Sequence, residues 1–172
     1  MAGREYTLPI PTADDESRPF FEGAREHKLV LLRCDGCGTW RLPGRERCVD
    51  CWSEEASWAE ASGRGTLYTY GIMHQRYHPA FADVIPYNYA LVELAEGPRL
   101  VTNIVDCPNE ALRVDMPVEA VYDDVSDETT LVRFRPSLTP GPLRQAQGRL
   151  SPSERERGAP TSRGGVRERK AP

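Results

Sequence analysis

Cys34-Asp35-Gly36-Cys37 and Cys48-Val49-Asp50-Cys51 are two C-x-x-C pairs separated by ten residues. Each pair closes a tight turn that aims two thiolates at one point. Two such turns complete a tetrahedron of sulfur, the arrangement zinc accepts in structural sites with no open position. A closed site of this kind stabilises a fold and performs no chemistry, so it identifies an element of structure. Function has to be sought elsewhere in the chain.

Other uses of the same cysteines exist. Two disulfides would fit the number, but Met1 to Pro11 holds neither a basic start nor an apolar run, so no secretory signal is expected. Thiols at this spacing in a reducing compartment more often hold a metal. A redox dithiol would need only one pair, and iron also takes four thiolates. Zinc at Cys34, Cys37, Cys48 and Cys51 is the reading adopted.

Composition separates the chain into two parts. Its 172 residues carry 22 Lys and Arg against 26 Asp and Glu. The stretch 137–172 holds eight of the basic and three of the acidic residues, a balance of +5. That leaves 14 and 23 in residues 1–136, a balance of −9. Rich in Pro, Gly, Ser and Arg, the basic stretch has Leu138, Leu143, Leu150 and Val166 as its only large apolar side chains. Such a composition cannot offset the entropy of ordering, and a disordered tail is expected over 137–172. No apolar run approaches bilayer length, so the expectation is a soluble, cytoplasmic chain with no membrane partner.

Along the acidic part, residues 16–26 read as a short helix, with Ser17 as N-cap, Pro19 in the first turn and Phe20, Phe21 and Ala24 on its apolar face. His27 to Arg33 runs extended into the first cysteine turn, and Ala56 to Ala61 makes a strand after the second. Together these describe a zinc ribbon. Five β-prone segments follow: Thr66–His74, Tyr87–Leu94, Arg99–Val105, Pro117–Tyr122 and Thr129–Arg135. Their spacing, with the longer link between the third and fourth, suits an OB-type Greek-key barrel, and an SH3-like barrel nearly as well. The expected class is mainly β. A helix and rubredoxin-like ribbon occupy 14–60, a five-stranded barrel 61–136 and the tail 137–172.

The ordered set of motifs resembles a known family. Phe20-Phe21-Glu22-Gly23, Leu31-Leu32-Arg33-Cys34 and Cys48-Val49-Asp50-Cys51 carry the likeness, with Ser62-Gly63-Arg64-Gly65, Pro86-Tyr87, Glu96-Gly97-Pro98-Arg99 and Met116-Pro117-Val118. These are similar to the zinc-ribbon/OB-fold acyl-CoA-associated proteins known as domain of unknown function 35. The match runs over about residues 14–136. Val49 and Trp52 stand where that family usually has proline and glycine, which predicts an altered turn after Cys51, because tryptophan tolerates left-handed backbone poorly. Asp115 replaces a common glycine before Met116. The resemblance implies a non-catalytic accessory subunit in lipid or steroid breakdown. Its partner would be a thiolase-superfamily enzyme (a thiolase or a lipid-transfer-type aldolase) or a MaoC-type hydratase, with acyl-CoA at the shared interface.

Acyl-CoA asks for cations and an apolar slot. Arg64, Arg76 and Arg99 beside the barrel turns suit phosphate oxygens. The long aromatic loop containing Tyr77, His78, Phe81 and Tyr87 suits a binding surface, and Phe20 and Phe21 a partner. A catalytic histidine is not expected, since His74 and His78 have only Asp83 near them in sequence. Cys107 reads as an ordinary semi-buried cysteine. The rival class is a single-stranded nucleic-acid-binding protein stacking bases on Tyr68, Tyr70, Tyr87 and Tyr89. Each tyrosine pair, at i and i+2, would share one sheet face. The −9 balance of residues 1–136 argues against that partner.

Overall fold

A computed structural model describes residues 6–138. The tail expected over 137–172 lies almost wholly outside the described residues. Helix α1 spans Arg18–Arg25, with Pro19 in its first turn where a missing N–H costs nothing. Ser17 stands at the N-cap but does not cap the helix with its side chain. Its hydroxyl turns back to the Asp14 carboxylate, which also accepts the Ser17 N–H at 2.8 Å. Asp14 thus organises the approach to the helix, a role the Ser17 signal concealed. His27 (φ 57) ends the helix in the left-handed region, so the next strand begins two residues later than its hydropathy suggests.

Three strands make the ribbon: β1 (Leu29–Cys34), β2 (Trp40–Arg41) and β3 (Ala56–Ala61), in the antiparallel order β2-β1-β3. Leu29 and Leu31 alternate inward along β1 and are buried. Gly23 lets α1 approach β1 closely, since a Cβ there would fall 2.5 Å from Val30 Cγ2.

The second sheet contains β4 (Arg64–Met73), β5 (Tyr87–Leu94), β6 (Arg99–Thr102), β7 (Pro117–Asp124) and β8 (Thr130–Pro136). Its order is β6-β5-β4-β7-β8, so the first strand sits centrally and the two edge strands curl towards each other. Ile104 bridges Phe134 in parallel, and the Phe134 N–H donates to the Asn103 carbonyl at 3.1 Å. The result is a curled, partly open five-stranded barrel of the OB type. The third barrel strand ends at Thr102 and not at Val105 as expected, because Asn103 and Val105 turn their backbone to β8. Asn88 helps to hold this crossing: its amide donates to the Ile104 carbonyl at 2.9 Å and accepts the Ile104 N–H at 2.7 Å.

One apolar cluster joins both sheets. Leu29, Leu31 and Ala61 of the ribbon pack with Leu67, Val92, Ile104, Leu112, Val118 and Phe134 of the barrel. Among the described residues no helix is long and apolar enough to cross a membrane.

Candidate functional site: the tetrathiolate centre and the barrel surfaces

The cysteine turns are near copies of each other. Gly38 N–H donates to the Cys34 carbonyl at 2.8 Å, and Trp52 N–H to the Cys48 carbonyl at 3.1 Å. Cys34 N–H reaches the Thr39 carbonyl at 2.9 Å, and Cys48 N–H the Ser53 carbonyl at 2.9 Å. Gly38 (φ 77) and Trp52 (φ 64) both take the left-handed conformation that closes each turn. The expectation of an altered turn after Cys51 is therefore wrong. The hydrogen bonds that close the turn dictate the backbone, and tryptophan accepts the strain. Asp115 (φ 66) likewise keeps a glycine-like backbone, held by its N–H to the Leu67 carbonyl at 2.8 Å.

The four sulfurs lie within 4.8 Å of one another, with Cys34–Cys51 and Cys37–Cys48 each at 3.5 Å. Zinc–sulfur bonds of about 2.3 Å in a tetrahedron require sulfurs roughly 3.8 Å apart, so the cage fits zinc. Backbone N–H of Cys37 holds the Cys34 thiol below its ordinary range, as that of Cys51 does for Cys48. The Thr39 hydroxyl does the same for Cys37. At Cys51 the Ser53 N–H also favours the thiolate, but the sulfurs of Cys37 and Cys34 oppose it and push the thiol up to about 12. Zinc held by Cys34, Cys37, Cys48 and Cys51 would supply the charge that lets all four sulfurs ionise together.

Arg41 supports the cage from below. It is only 6% exposed, and its guanidinium donates to the Glu46 and Glu54 carbonyls, each at 3.0 Å. It thereby ties both flanks of the second turn to β2. Thr39 adds a bond to the Asp50 carboxylate at 2.7 Å, joining the two turns directly. Neither contact was legible in the sequence, where Arg41 lies outside the cysteine motif and β2 is too short to show a period.

The remaining candidate residues fall into three separate groups. Arg64 opens β4 opposite Glu119, and Arg99 opens β6 at the same end of the barrel. The Arg99 guanidinium lies 3.5 Å over the Tyr68 ring and 3.2 Å from the Glu93 carboxylate, so a phosphate would compete with both. Arg76, Tyr77, His78, Phe81 and Tyr87 lie at the other end of β4, roughly 30 Å away for ten extended residues. There the Phe81 and Tyr87 rings sit 5.2 Å apart, and Tyr77 is 70% exposed. His78 Nδ1 accepts the Ala80 N–H at 3.2 Å, which caps a short 3-10 turn over Pro79–Phe81. Phe20 and Phe21 form the third group. With Pro11, Leu100, Val101 and Val132 they line an apolar groove of about 250 Å³ where β6 and β8 part.

The tyrosine pairs behave differently from one another. A bulge between Leu67 and Thr69 inserts Tyr68 as an extra residue, which breaks the two-residue alternation. Tyr70 packs on the core and donates its hydroxyl to the Leu112 carbonyl at 3.0 Å, whereas Tyr68 lies outside beneath Arg99. The expected shared face for Tyr68 and Tyr70 does not exist. Tyr87 and Tyr89 keep theirs, and the Tyr89 ring covers Gly71 across the strand pair.

A closed sulfur cage on a ribbon, fused through one core to an OB barrel, defines the class: a metal-stabilised zinc-ribbon/OB-fold protein. Residues 21–56 match the family model described as the ChsH2 rubredoxin-like zinc ribbon domain, and residues 58–123 that described as the ChsH2 C-terminal OB-fold domain. A DUF35 domain-containing scaffold protein of Methanocaldococcus jannaschii is 38% identical over 101 residues, 58% of this chain and 71% of that one. The chain belongs to the DUF35 family of zinc-ribbon/OB-fold proteins, and its four clustered cysteines are the site of a structural zinc. A probable enoyl-CoA hydratase alpha subunit of Thermomonospora curvata is 39% identical over 130 residues, 76% of this chain. The chain spans only 40% of the length of that relative. Among solved structures, a chain of the Ltp2-ChsH2(DUF35) aldolase is 40% identical with a TM-score of 0.65, covering 74% of this chain and 98% of that one.

Proposed function

We propose that this protein is a non-catalytic accessory subunit. It binds an acyl-CoA enzyme, either a thiolase-superfamily member such as a lipid-transfer-type aldolase or a MaoC-type hydratase, and helps to form the acyl-CoA site. The observation that carries this reading is its 40% identity to nearly the whole of a chain from an aldolase assembly. The name of the Thermomonospora curvata relative, a hydratase subunit, supports the same class of partner. The metal cage adds support, because closed tetrathiolate zinc stabilises and does not catalyse.

On this reading residues 14–60 form the helix and ribbon module, 61–136 the acyl-CoA-associated barrel and 137–172 a basic appendage. Phe20, Phe21, the 77–87 loop and the exposed arginines Arg64 and Arg76 are the surfaces offered to partner or ligand. Arg99 serves only if phosphate displaces it from Glu93. The single-stranded nucleic-acid reading has less support, since Tyr68 is covered by Arg99 and Tyr70 is turned inward.

The test is reconstitution. Turnover of an acyl-CoA substrate by the purified enzyme subunit is measured with and without this chain. The reading expects at least a tenfold rise in kcat/KM on addition, and none from the chain alone. Equal rates with and without it would overturn the proposal.

A further inference from the structure

Two turns of the same geometry, a few ångströms apart, differ in what they display. The first closes on Gly38, the residue its left-handed backbone favours. The second closes on Trp52 with the same hydrogen bonds and the same sign of φ. An L side chain in that conformation costs about 1–2 kcal/mol. Burial does not repay this, because Trp52 is 71% exposed and its neighbour on the turn, Val49, is 60% exposed. The first turn has Asp35 in place of Val49. The second turn thus holds a strained, solvated indole on a support made rigid by the metal and by Arg41. His27, Asp106 and Asp115 share the sign of φ, but Asp and His are enriched in that region. A bulky, exposed side chain there is an outlier that calls for a role beyond the chain's own packing.

From this we infer that Trp52 and Val49 are the anchor by which this subunit docks into an apolar recess of its enzyme partner; the inference rests on the accessory-subunit reading above. With Trp52 and Val49 both mostly exposed, the turn does not enclose a small ligand, which binds in concave sites. The flanking charges carry both signs with acids in excess (Arg45 and Arg47 against Glu46, Asp50, Glu54 and Glu55), unlike the basic surface a nucleic acid requires. A rim of both signs around an exposed aromatic is the make-up of a protein–protein hot spot. A second copy of this chain is a poor occupant. A two-fold contact centred on Trp52 would set the net-acidic rim (Glu46, Asp50, Glu54 and Glu55 against Arg45 and Arg47) against its own like charges. Trp52 and Val49 serve instead as the anchor of a larger contact with a different protein. The metal pre-organises that anchor, so little ordering is lost on binding.

The experiment compares wild type with Trp52→Gly and Trp52→Phe in the full-length, zinc-loaded chain. Affinity is measured for the purified acyl-CoA enzyme subunit that co-purifies with wild type, alongside melting temperature and sedimentation of the free chain. Trp52→Gly should bind at least tenfold more weakly while melting at the same or a higher temperature, because glycine relieves the left-handed strain. Trp52→Phe, which keeps an aromatic anchor, should recover most of the affinity. Unchanged affinity in Trp52→Gly would overturn the anchor and leave the accessory reading standing. Failure of wild type to bind any acyl-CoA enzyme would overturn both. Self-association of the free chain that Trp52→Gly abolishes would overturn the choice of partner in favour of a second copy.

Discussion

Arg41 shows how a single side chain can hold a loop that no secondary structure supports. Its guanidinium spans the Glu46 and Glu54 carbonyls on either side of the second cysteine turn. Arg41→Ala removes a charged donor from both carbonyls, and a hydrogen bond to a charged group contributes about 1.5–3 kcal/mol. We expect about 2–4 kcal/mol lost in urea unfolding, with faster zinc release to a chelator. Arg41→Lys should not restore it, because a compact ammonium cannot reach two carbonyls with the same fork. Asp124 makes a different prediction. Its carboxyl is held below the usual range by the Thr130 hydroxyl first and by His27 second. Glu119 is lowered by Arg135 and Ser137, and Asp14 by Ser17. A carboxyl with a depressed folded pKa stabilises the fold above its unfolded value and loses that effect as pH falls through the folded value. Stability should therefore decline as pH drops below about 4. Asp124→Asn should flatten that decline in melting curves recorded with zinc release followed separately. An unaltered slope would remove Asp124 from the account.

At the scale of elements, the ribbon depends on its metal more than on its strands. β2 is two residues long, and β1 with β3 buries one face only. Structural zinc contributes on the order of 10–16 kcal/mol in small peptides. Cys48→Ser should remove amide-exchange protection from residues 29–61 and abolish partner binding. Retained protection across β1 and β3 would contradict this. Strand positions were largely legible in the sequence because β-branched and aromatic runs alternate between turn residues, as in Tyr87–Leu94. The misses have physical causes. His27 ends the helix with a left-handed residue that composition does not reveal. Asn103 leaves its strand early to satisfy Phe134, a contact distant in sequence. The bulge at Tyr68 reverses a face assignment that strict alternation had made secure. The cysteine cage was legible in full, since its spacing alone fixes the ligands. The candidate surfaces were not, since a sequence cannot show that Arg99 is already engaged by Tyr68 and Glu93.

For the whole molecule, the shared apolar cluster is the feature that couples its two modules. Leu29 and Leu31 of β1 lie in the same core as Leu67 and Phe134 of the barrel, so loss of zinc should weaken the barrel as well as the ribbon. The same coupling makes the exposed second turn a rigid extension of the barrel. Under the proposed accessory role, the candidate surfaces at opposite ends of β4 and the groove at the β6/β8 seam would let the chain touch a large partner at several places. The charge balance of −9 in residues 1–136 is consistent with protein contact and opposes contact with nucleic acid. The most direct test is co-purification of the tagged native protein from its own cell extract, with mass spectrometry of what accompanies it. The account predicts a stoichiometric thiolase-like, aldolase or hydratase subunit that survives nuclease and moderate salt. Recovery of nucleic acid or ribosomal protein under those conditions, with no acyl-CoA enzyme, would contradict it.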